Sequence, residues 1–138
     1  MMNSPSKDIK DLLEDSGSGI DLVYAENLFC NLVPDVGVDN ILTVTVLDSP
    51  GDSPYPGTAV YDRPGIMVYV RGVANGYTAA YEMAADISTY LHNKHNETIN
   101  STRYISIFRV GDINWLGFDE NQRPMFSINF AIQRTTTA

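Results

Sequence analysis

The sequence predicts an α+β fold in which one long helix packs against a single, mostly antiparallel sheet, with a short helix at the N-terminus. Alternating apolar residues mark several strands, and only one long segment has the period of an α-helix. The strands fall on both sides of that helix without a regular strand–helix alternation, which favours antiparallel pairing. The 138 residues, 43% of them apolar, are typical of one globular domain over 1–138.

The central predicted element is a strand followed by the long helix. Residues 66–71 alternate in the manner of an extended segment, and a glycine-bounded turn follows. From there to Asn93, apolar and small residues recur at helical spacing. They are Tyr77, Ala80, Tyr81, Ala84, Ile87, Ser88 and Leu91. Asn75 is predicted as the N-cap, because its side-chain oxygen can accept a hydrogen bond from a free amide of the first turn.

A short helix and two strands are predicted before this unit. Ser4 followed by Pro5 is a typical helix start, and apolar residues at helical spacing extend the helix to Asp15. The apolar segments 28–33 and 41–47 are predicted as strands, and the second signal is the stronger because it is β-branched and alternating. A turn-rich stretch between them indicates that the two strands form a hairpin.

Residues 48–64 form a predicted long loop. Three prolines and two glycines within residues 48–57 exclude regular structure there. Connections of this length are uncommon in compact domains and are often functional. The loop carries four residues suited to contact with another protein: Tyr55, Tyr61, Asp62 and Arg63. We therefore expect this loop to lie on a partner.

Strand signals dominate the C-terminal third. The last strand places Phe126, Ile128 and Phe130 on one side and uncharged polar or small residues on the other. We expect the second side of the sheet to be solvated or covered by a neighbouring chain. The predicted order is a polar turn at 92–102, a strand at 104–110, a break at 111–112, a continuation at 113–116, a turn at 117–124, the last strand at 125–134 and a short flexible tail at 135–138.

Charge and cysteine content exclude several classes of function. The formal net charge is −8 and the nine basic residues are spread singly, so no patch could neutralise a nucleic-acid backbone. Cys30 is the only cysteine, which excludes an internal disulfide and a cysteine-based zinc site. The longest apolar run, 66–70, is far too short to cross a bilayer, and the N-terminus lacks a signal-peptide pattern. These features predict a protein made in a reducing cytoplasm.

No arrangement of reactive residues predicts catalysis, a cofactor or a metal site. His92 and His95 stand three apart, but no further metal ligand follows at a known spacing, and a solvated helix end explains them better. Asp48, Asp52 and Asp62 lack the dense alternation of oxygen ligands that calcium requires. The glycine-bounded turn before the long helix lacks the lysine of a P-loop. The sequence therefore predicts no catalytic, cofactor-binding or metal-binding residues.

Two segments and the order of the elements resemble a known family. RPGIMVYVRG at 63–72 leads into the tyrosine-containing helix, and LGFDENQRPMFSINF at 116–130 precedes the end of the chain. The long Pro-Gly loop comes before the first of them. Together, over about residues 1–134, they are similar to the minor capsid and tail terminator proteins of long-tailed bacteriophages.

The resemblance implies a structural virion protein and not an enzyme. Such a protein forms a six-membered ring that caps the tail tube, stops its polymerisation and offers a joining surface to the head–neck connector. The genome DNA passes through the lumen without specific binding. The implied partners are further copies of the chain, the tail tube protein and the connector or stopper protein, without a membrane. The implied location is the tail or neck of a virion assembled in the cytoplasm of a host bacterium.

The residues predicted to make these contacts belong to the long loop and to strand ends. They are Tyr55, Tyr61, Asp62, Arg63, Arg71, Trp115 and Arg134. A core indole stays an alternative for Trp115, and solvated strand charges for Arg71 and Arg134. Other functions also stay open: another head–tail neck component, a tail tube protein, a small metal-dependent hydrolase or nuclease, or a monomeric ligand-binding module.

Overall fold

The architecture is α+β, as the sequence predicts. The computed structural model describes residues 3–15, 20, 22–32, 41–51, 61–92 and 94–135, with Tyr61 as backbone only. Within these residues the chain forms two helices and seven strands. They are α1 (Pro5–Glu14), β1 (Leu28–Cys30), β2 (Thr43–Ser49), β3 (Tyr61–Asp62), β4 (Gly65–Arg71), α2 (Tyr77–Leu91), β5 (Lys94–Ile99), β6 (Thr102–Phe118) and β7 (Pro124–Thr135).

The strands join one mixed sheet with the order β1-β2-β4-β7-β6-β5. β1 runs parallel to β2, and the other pairings of the described strands are antiparallel. β3 also pairs with β7, beyond the end of β4. Pro64 lies between β3 and β4 and interrupts them because it has no amide hydrogen to donate to the ladder.

The first two strands do not form the predicted hairpin. β1 pairs in parallel with β2, so that Leu28 lies opposite Val44. Asn31 ends β1 in the left-handed region (φ +57°), where its side chain donates to the Asp48 carboxylate (3.1 Å) and accepts from the Asp48 amide (3.0 Å). The alternation of a strand carries no information about its direction, so the strands were predicted correctly and their pairing was wrong. Residues 33–40, predicted as the turn, lie outside the described residues.

Both helices share one hydrophobic core with one face of the sheet. The sequence predicted that one long helix covers this face, but α1 also buries an apolar stripe against β1 and β2. The fully buried residues come from both helices and from five strands, β1, β2, β4, β6 and β7. Chief among them are Ile9, Leu13, Leu28, Val44, Val46, Ile66, Val68, Val70, Ala84, Ile87, Leu91, Ile107 and Ile128. Each buried Leu, Ile or Val side chain stabilises the fold by about 1.5–3 kcal/mol.

The two helix starts differ in how their free amides are satisfied. The Ser4 hydroxyl accepts from the Lys7 amide (3.4 Å), which confirms the predicted start of α1. α2 begins at Tyr77 with Gly76 at the cap position and no side-chain cap bond. The prediction of Asn75 as N-cap was wrong because Asn75 lies one residue earlier, in a left-handed turn conformation (φ +59°). The helix ends at Leu91, short of the predicted end.

A strand occupies most of the predicted polar turn at 92–102. β5 pairs with the start of β6, and Asn100 and Ser101 join them with positive φ angles of +50° and +67°. Two successive positive φ angles are typical of a tight type I′ hairpin turn. The strand escaped prediction because all of its residues except the buried Ile99 are polar, as suits a short strand at a sheet edge.

The predicted break at 111–112 is a bulge within one continuous strand. β6 runs unbroken to Phe118, and its register against β7 shifts between Val110 and Asn114. Gly111 takes a positive φ of +76° there. Glycine tolerates this conformation without steric cost, so it allows the extra residues without ending the strand. At the C-terminus, Thr135 belongs to β7 and residues 136–138 lie outside the description.

The predicted loop at 48–64 is shorter than expected at both ends. Asp48 and Ser49 complete β2, and Tyr61–Asp62 form β3. A Cβ added at Gly51 would lie only 2.2 Å from the Arg63 carbonyl oxygen, so a glycine is required where the two ends of the loop meet. Residues 52–60 of the loop, including Tyr55, are outside the described part of the chain.

Candidate interaction surface

An exposed cluster of aromatic rings lies where the N-terminus of α2 meets the far end of the β6–β7 hairpin. We call this cluster the aromatic patch; it consists of Tyr77, Tyr81, Trp115 and Phe118, with Phe126 buried beneath them. The four outer side chains are 45–48% exposed. Tyr77 lies 5.0 Å from Trp115 between ring centroids, and Trp115 lies 5.2 Å from Phe118, both in edge-to-face geometry. Such contacts fix the rings in place while leaving their outer faces open to a partner.

A second bulge in β6 brings Trp115 and Phe118 together. Residues three apart on a regular strand point to opposite faces of the sheet. Here the register shifts between Trp115 and Gly117, and Gly117 has a φ of +97°. Nothing lies within 4 Å of a Cβ built at Gly117, so the backbone conformation and not lack of space is what requires glycine there.

The same half of β6 is apolar on its other face and has an unpaired edge. β5 pairs only with residues up to Ile107, and among the described residues no strand pairs with the outer edge of 108–118. Phe108, Val110 and Leu116 are exposed along it. One edge amide, that of Arg109, donates to His92 Nδ1 (2.9 Å). Long apolar edges of this kind are typical of sites that associate with another chain.

A groove of about 780 Å³ adjoins the unpaired edge on the sheet face away from the helices. Phe108 and Val110 form one wall, and the chain on either side of the long loop forms the other. The uncharged side chains of Asn129, Ala131 and Gln133 contribute to its floor, in keeping with the predicted polar second side of β7. The groove can therefore take up apolar groups and offer amide hydrogen bonds, but it presents few charges.

At the opposite end of the same hairpin, polar side chains gather around the buried residues Asp8, Tyr104 and Arg134. We call this network the polar clasp; it consists of Asn3, Asp8, Asn100, Tyr104 and Arg134. The Asp8 carboxylate is fully buried and accepts from Asn3 (3.2 Å), Asn100 (2.8 Å) and the Tyr104 hydroxyl. Arg134 donates to the Tyr104 hydroxyl (3.3 Å) and to the Asn3 carbonyl (2.9 Å). The clasp thereby ties α1 to β6 and β7.

The environment of the clasp keeps Tyr104 protonated. Burial raises the pKa of the Tyr104 hydroxyl far above its ordinary value, and the hydrogen bond to Asp8 raises it further. A protonated hydroxyl can donate to the carboxylate while it accepts from Arg134. The buried members of the clasp, Asp8, Tyr104 and Arg134, are thus hydrogen-bonded to one another or to other residues of the network.

The structure separates the residues predicted to make partner contacts into three groups. Asp62 and Arg134 form an ion pair of 3.2 Å, in which Arg134 is only 6% exposed, and Arg71 is likewise buried at 4%. Arg63 is half-buried at the groove and Trp115 belongs to the aromatic patch. Tyr61 is described by its backbone alone, and Tyr55 lies outside the described residues.

Sequence reasoning missed three members of the aromatic patch. The helical spacing predicts Tyr77 and Tyr81 on the buried stripe of the long helix, but the buried members of that stripe are only Ala80, Ala84, Ile87, Ser88 and Leu91. Phe118 was read as part of a turn. The residue type at the start of the helix could have indicated their exposure, because a tyrosine suits a half-exposed contact better than a core.

Several of the residues considered for metal or nucleophilic chemistry have structural partners, and Asp52 lies outside the described residues. Asp48 accepts from the Ser6 amide and hydroxyl (both 3.0 Å), and the Cys30 thiol contacts the same hydroxyl (3.4 Å). His92 ends α2, whereas His95 lies on β5. Within the described ranges no group of three or more His, Cys, Asp or Glu side chains could hold a metal ion. The described helices include none that is long and apolar enough to cross a membrane.

One family model matches the chain over almost its whole length. The model of the family described as "Bacteriophage tail terminator protein" matches residues 9–136. That range includes the aromatic patch, the groove and all of the clasp except Asn3 and Asp8. Among curated proteins, no sequence matches the chain.

A solved structure shares the fold. It is a chain of the "Virion of native gene transfer agent (GTA) particle", with a TM-score of 0.59 and 13% sequence identity. The match covers 80% of this chain and 79% of that chain. At this level of identity the match concerns the arrangement of the helices and strands, and a protein of a phage-like particle therefore has the same architecture.

Proposed function

Because the chain belongs to the bacteriophage tail terminator family, and is thus a structural protein of the phage tail, we propose that it caps the tail tube as a ring. The ring stops polymerisation of the tube and gives the head–neck connector a surface to join. It contains six copies and acts without a cofactor, a metal ion or any covalent chemistry. The chain works as one tail-terminator-like domain over 1–138.

The observation that carries this proposal, beyond family membership, is the apolar half of β6. Its side chains are exposed on both faces of the sheet, and its edge is unpaired among the described residues. An exposed apolar surface of this extent is typical of a site that associates with another protein.

Capping requires only two unlike faces. A tube grows because each ring, once it has bound to the end of the tube, exposes a new copy of the surface to which it bound. The next ring can then bind in the same way. A terminator binds that surface and presents a different one on its far side, so no further tube subunit can add. Its partners are then the tail tube protein on one side and the connector or stopper protein on the other.

The charge of the chain suits a lumen through which DNA moves. At a net charge of −8, the chain repels the phosphate backbone more than it holds it. DNA can then pass through the ring without specific binding. We further propose that the ring forms in the cytoplasm of the host bacterium, where tails are assembled.

The contacts proposed from the sequence divide by their accessibility. Trp115 and Arg63 are exposed enough to contact a neighbour directly. Tyr55 and Tyr61 stay proposed contacts of the long loop. We propose an indirect role for the other three, Asp62, Arg71 and Arg134, which hold the contacting residues in place. Asp62 pairs with Arg134, and both arginines are buried.

The direct test is growth of tail tubes in the presence of the purified chain. Tube protein is allowed to polymerise with and without a limiting amount of the chain, and tube lengths and ends are measured by negative-stain electron microscopy. We expect shorter tubes that end in a single ring. Unchanged tube lengths would contradict the proposal, and filaments of the chain alone would identify a tube protein instead.

A pair of charge variants makes the test specific. Phe118→Asp places a charge in the aromatic patch and should abolish the shortening of the tubes. Thr98→Asp adds the same charge at an exposed position of β5, far along the sheet edge from the patch, and should leave the shortening intact. Equal loss of shortening in both variants would contradict a role for the patch.

A further inference from the structure

The described chain has a second exposed apolar region, at the other edge of the sheet. It consists of Val23 and Tyr24 before β1, Leu32 shortly after β1, and Ile41 shortly before its partner strand β2, all of them exposed. We call it the β1 edge, and we call the aromatic patch together with Phe108, Val110 and Leu116 the β6 edge. β1 is the first strand and the exposed part of β6 lies at the far side in the order of the sheet, so the two regions lie at opposite edges.

We propose that the β6 edge of one copy packs against the β1 edge of the next copy, and that repetition of this contact closes the ring. This inference rests on the proposed function, since it assigns the surfaces through which the proposed ring is built. A contact between two unlike surfaces on opposite sides of a chain is heterologous. Such contacts generate closed rings or open filaments, whereas a contact between two identical surfaces stops at a dimer.

The exposed area of the β6 edge agrees with a contact between whole subunits. Its seven large apolar side chains are each about half exposed. With roughly 150–250 Å² of surface for an aromatic side chain, they leave about 600 Å² of apolar surface open. A standard interface buries about 800 Å² on each partner, and apolar patches of about 300–600 Å² are often functional. The apolar surface of the β6 edge is therefore of the size that the core of a subunit interface has.

The backbone of the β6 edge disfavours pairing with an identical edge. Two such edges could join as antiparallel strands only along a regular row of free amides and carbonyls. The bulges at Gly111 and Gly117 interrupt that row, and the Arg109 amide already donates to His92. A twofold arrangement about the middle of the exposed segment would also bring Asp112 of the two copies close together. The edge thus offers side chains to an unlike surface in preference to a ladder for its own copy.

The test is chemical cross-linking between copies that each carry one introduced cysteine. The background is Cys30→Ser, which removes the only native thiol. Leu32→Cys marks the β1 edge and Phe118→Cys marks the β6 edge. The two proteins are mixed, assembled on tail tubes and treated with a short bifunctional maleimide. We expect a dimeric product from the mixture and no product from either variant alone.

Two controls make each outcome decisive. Thr98→Cys lies on neither edge and should give no product with Phe118→Cys. Rings of the Cys30→Ser background, seen by electron microscopy without any mixed product, would overturn the inference and leave the proposed function intact. A product from Phe118→Cys alone would overturn it in favour of a twofold contact. Absence of rings on the tubes would contradict the proposed function itself, and the inference with it.

Charge variants supply a second, independent measurement. Phe118→Asp places a charge on the β6 edge, and Leu32→Asp places a charge on the β1 edge. Each variant therefore keeps one edge unchanged. We expect neither variant to form rings alone, while an equimolar mixture forms a heterodimer, because the intact β1 edge of one meets the intact β6 edge of the other. The mass in solution distinguishes this from a twofold contact, in which Leu32→Asp alone would still dimerise.

Discussion

At one end of the β6–β7 hairpin polar side chains are buried, whereas at the other end apolar side chains are exposed. The polar clasp closes the first end, where Tyr104 lies opposite Arg134 in the register. The aromatic patch occupies the second end, where Trp115 lies opposite Phe126. Both ends belong to the same two strands, so the contrast does not come from the type of secondary structure.

The two ends differ in whether their side chains find all their contacts within the chain. The Asp8 carboxylate has its hydrogen-bond partners within the chain: Asn3 ahead of α1, Asn100 in the β5–β6 turn and Tyr104 on β6. Buried polar groups are tolerated only under this condition. The aromatic patch has no such covering, and its rings contact one another. We infer that the clasp determines stability and that the patch determines assembly.

Replacing Arg134 by Met should produce the largest loss of stability. It removes the ion pair with Asp62 and the donor to Tyr104 within a buried network. We expect a loss of about 3–5 kcal/mol in the free energy of unfolding, measured by urea denaturation. Arg103→Met is the matched control, because Arg103 is exposed and bonds only through Nε to Asn96 among the bonds described; it should change by less than about 0.5 kcal/mol. Equal effects of the two variants would remove the distinction between clasp and surface.

Gly117→Ala should act on the patch end with a smaller loss of stability. The positive φ of Gly117 disfavours any Cβ, so we expect a loss of about 1–2 kcal/mol. The relaxation that relieves the strain should separate Trp115 from Phe118. Trp115 is the only tryptophan, so its fluorescence emission reports that change directly. An unchanged spectrum together with unchanged stability would show that the bulge does not set the geometry of the patch.

Acid should weaken the clasp end in a defined pH range. Burial tends to raise the pKa of Asp11, but hydrogen bonds from Lys10, Asn100 and Lys7 outweigh it and lower the pKa to about 2, from an ordinary value of 3.8. A lowered carboxyl pKa gives stability that is present above pH 3.8 and is lost as the pH falls through 2, because the unfolded chain binds the proton first.

The matching variant is Asp11→Asn. Because the ion pairs of Asp11 are partly exposed, we expect it to lose at most about 1 kcal/mol at pH 6. That difference from the native chain should shrink as the pH falls below 3.8 and be mostly lost at pH 2, as followed by urea denaturation at a series of pH values. A difference that stays constant from pH 6 to pH 2 would contradict the assigned role of the carboxylate.

The smallest expected effect is a gain in the stability of the fold. Ser101 holds a positive φ of +67° in the turn before β6, and glycine adopts that conformation without the steric penalty of a side chain. Ser101→Gly creates the Asn-Gly pair that type I′ turns prefer. We expect the chain to become more stable by about 0.5 kcal/mol, seen as a small rise in Tm. A fall in Tm would show that the serine makes a stabilising contact.

The sequence could predict the elements whose pattern is set by the core. Alternation marked β4 and β7, and helical spacing marked α1 and α2, because burial on one face imposes those periods. It could not give the direction of β1, since a strand has the same alternation whichever way it runs. It also missed β5, because an edge strand with Ile99 as its one apolar residue lacks the alternation.

The aromatic patch could be foreseen only in part. Trp115 was singled out because a large amphipathic ring at a strand end suits a contact. Phe118 escaped because its position depends on a bulge at Gly117, and one residue of register shift reverses the face to which a side chain points. The clasp was hidden for a different reason: Asp8 and Tyr104 are far apart in the chain, and no local pattern connects them.

The tail lengths of a phage that lacks this chain test the proposed function most directly. Particles from a deletion mutant are imaged by electron microscopy, and tail lengths are compared with those of the parent and of a mutant complemented with the native chain. We predict overlong tails without heads, restored to a single length by complementation. Normal tail lengths joined to heads in the deletion mutant would contradict the proposal that this chain ends tube growth.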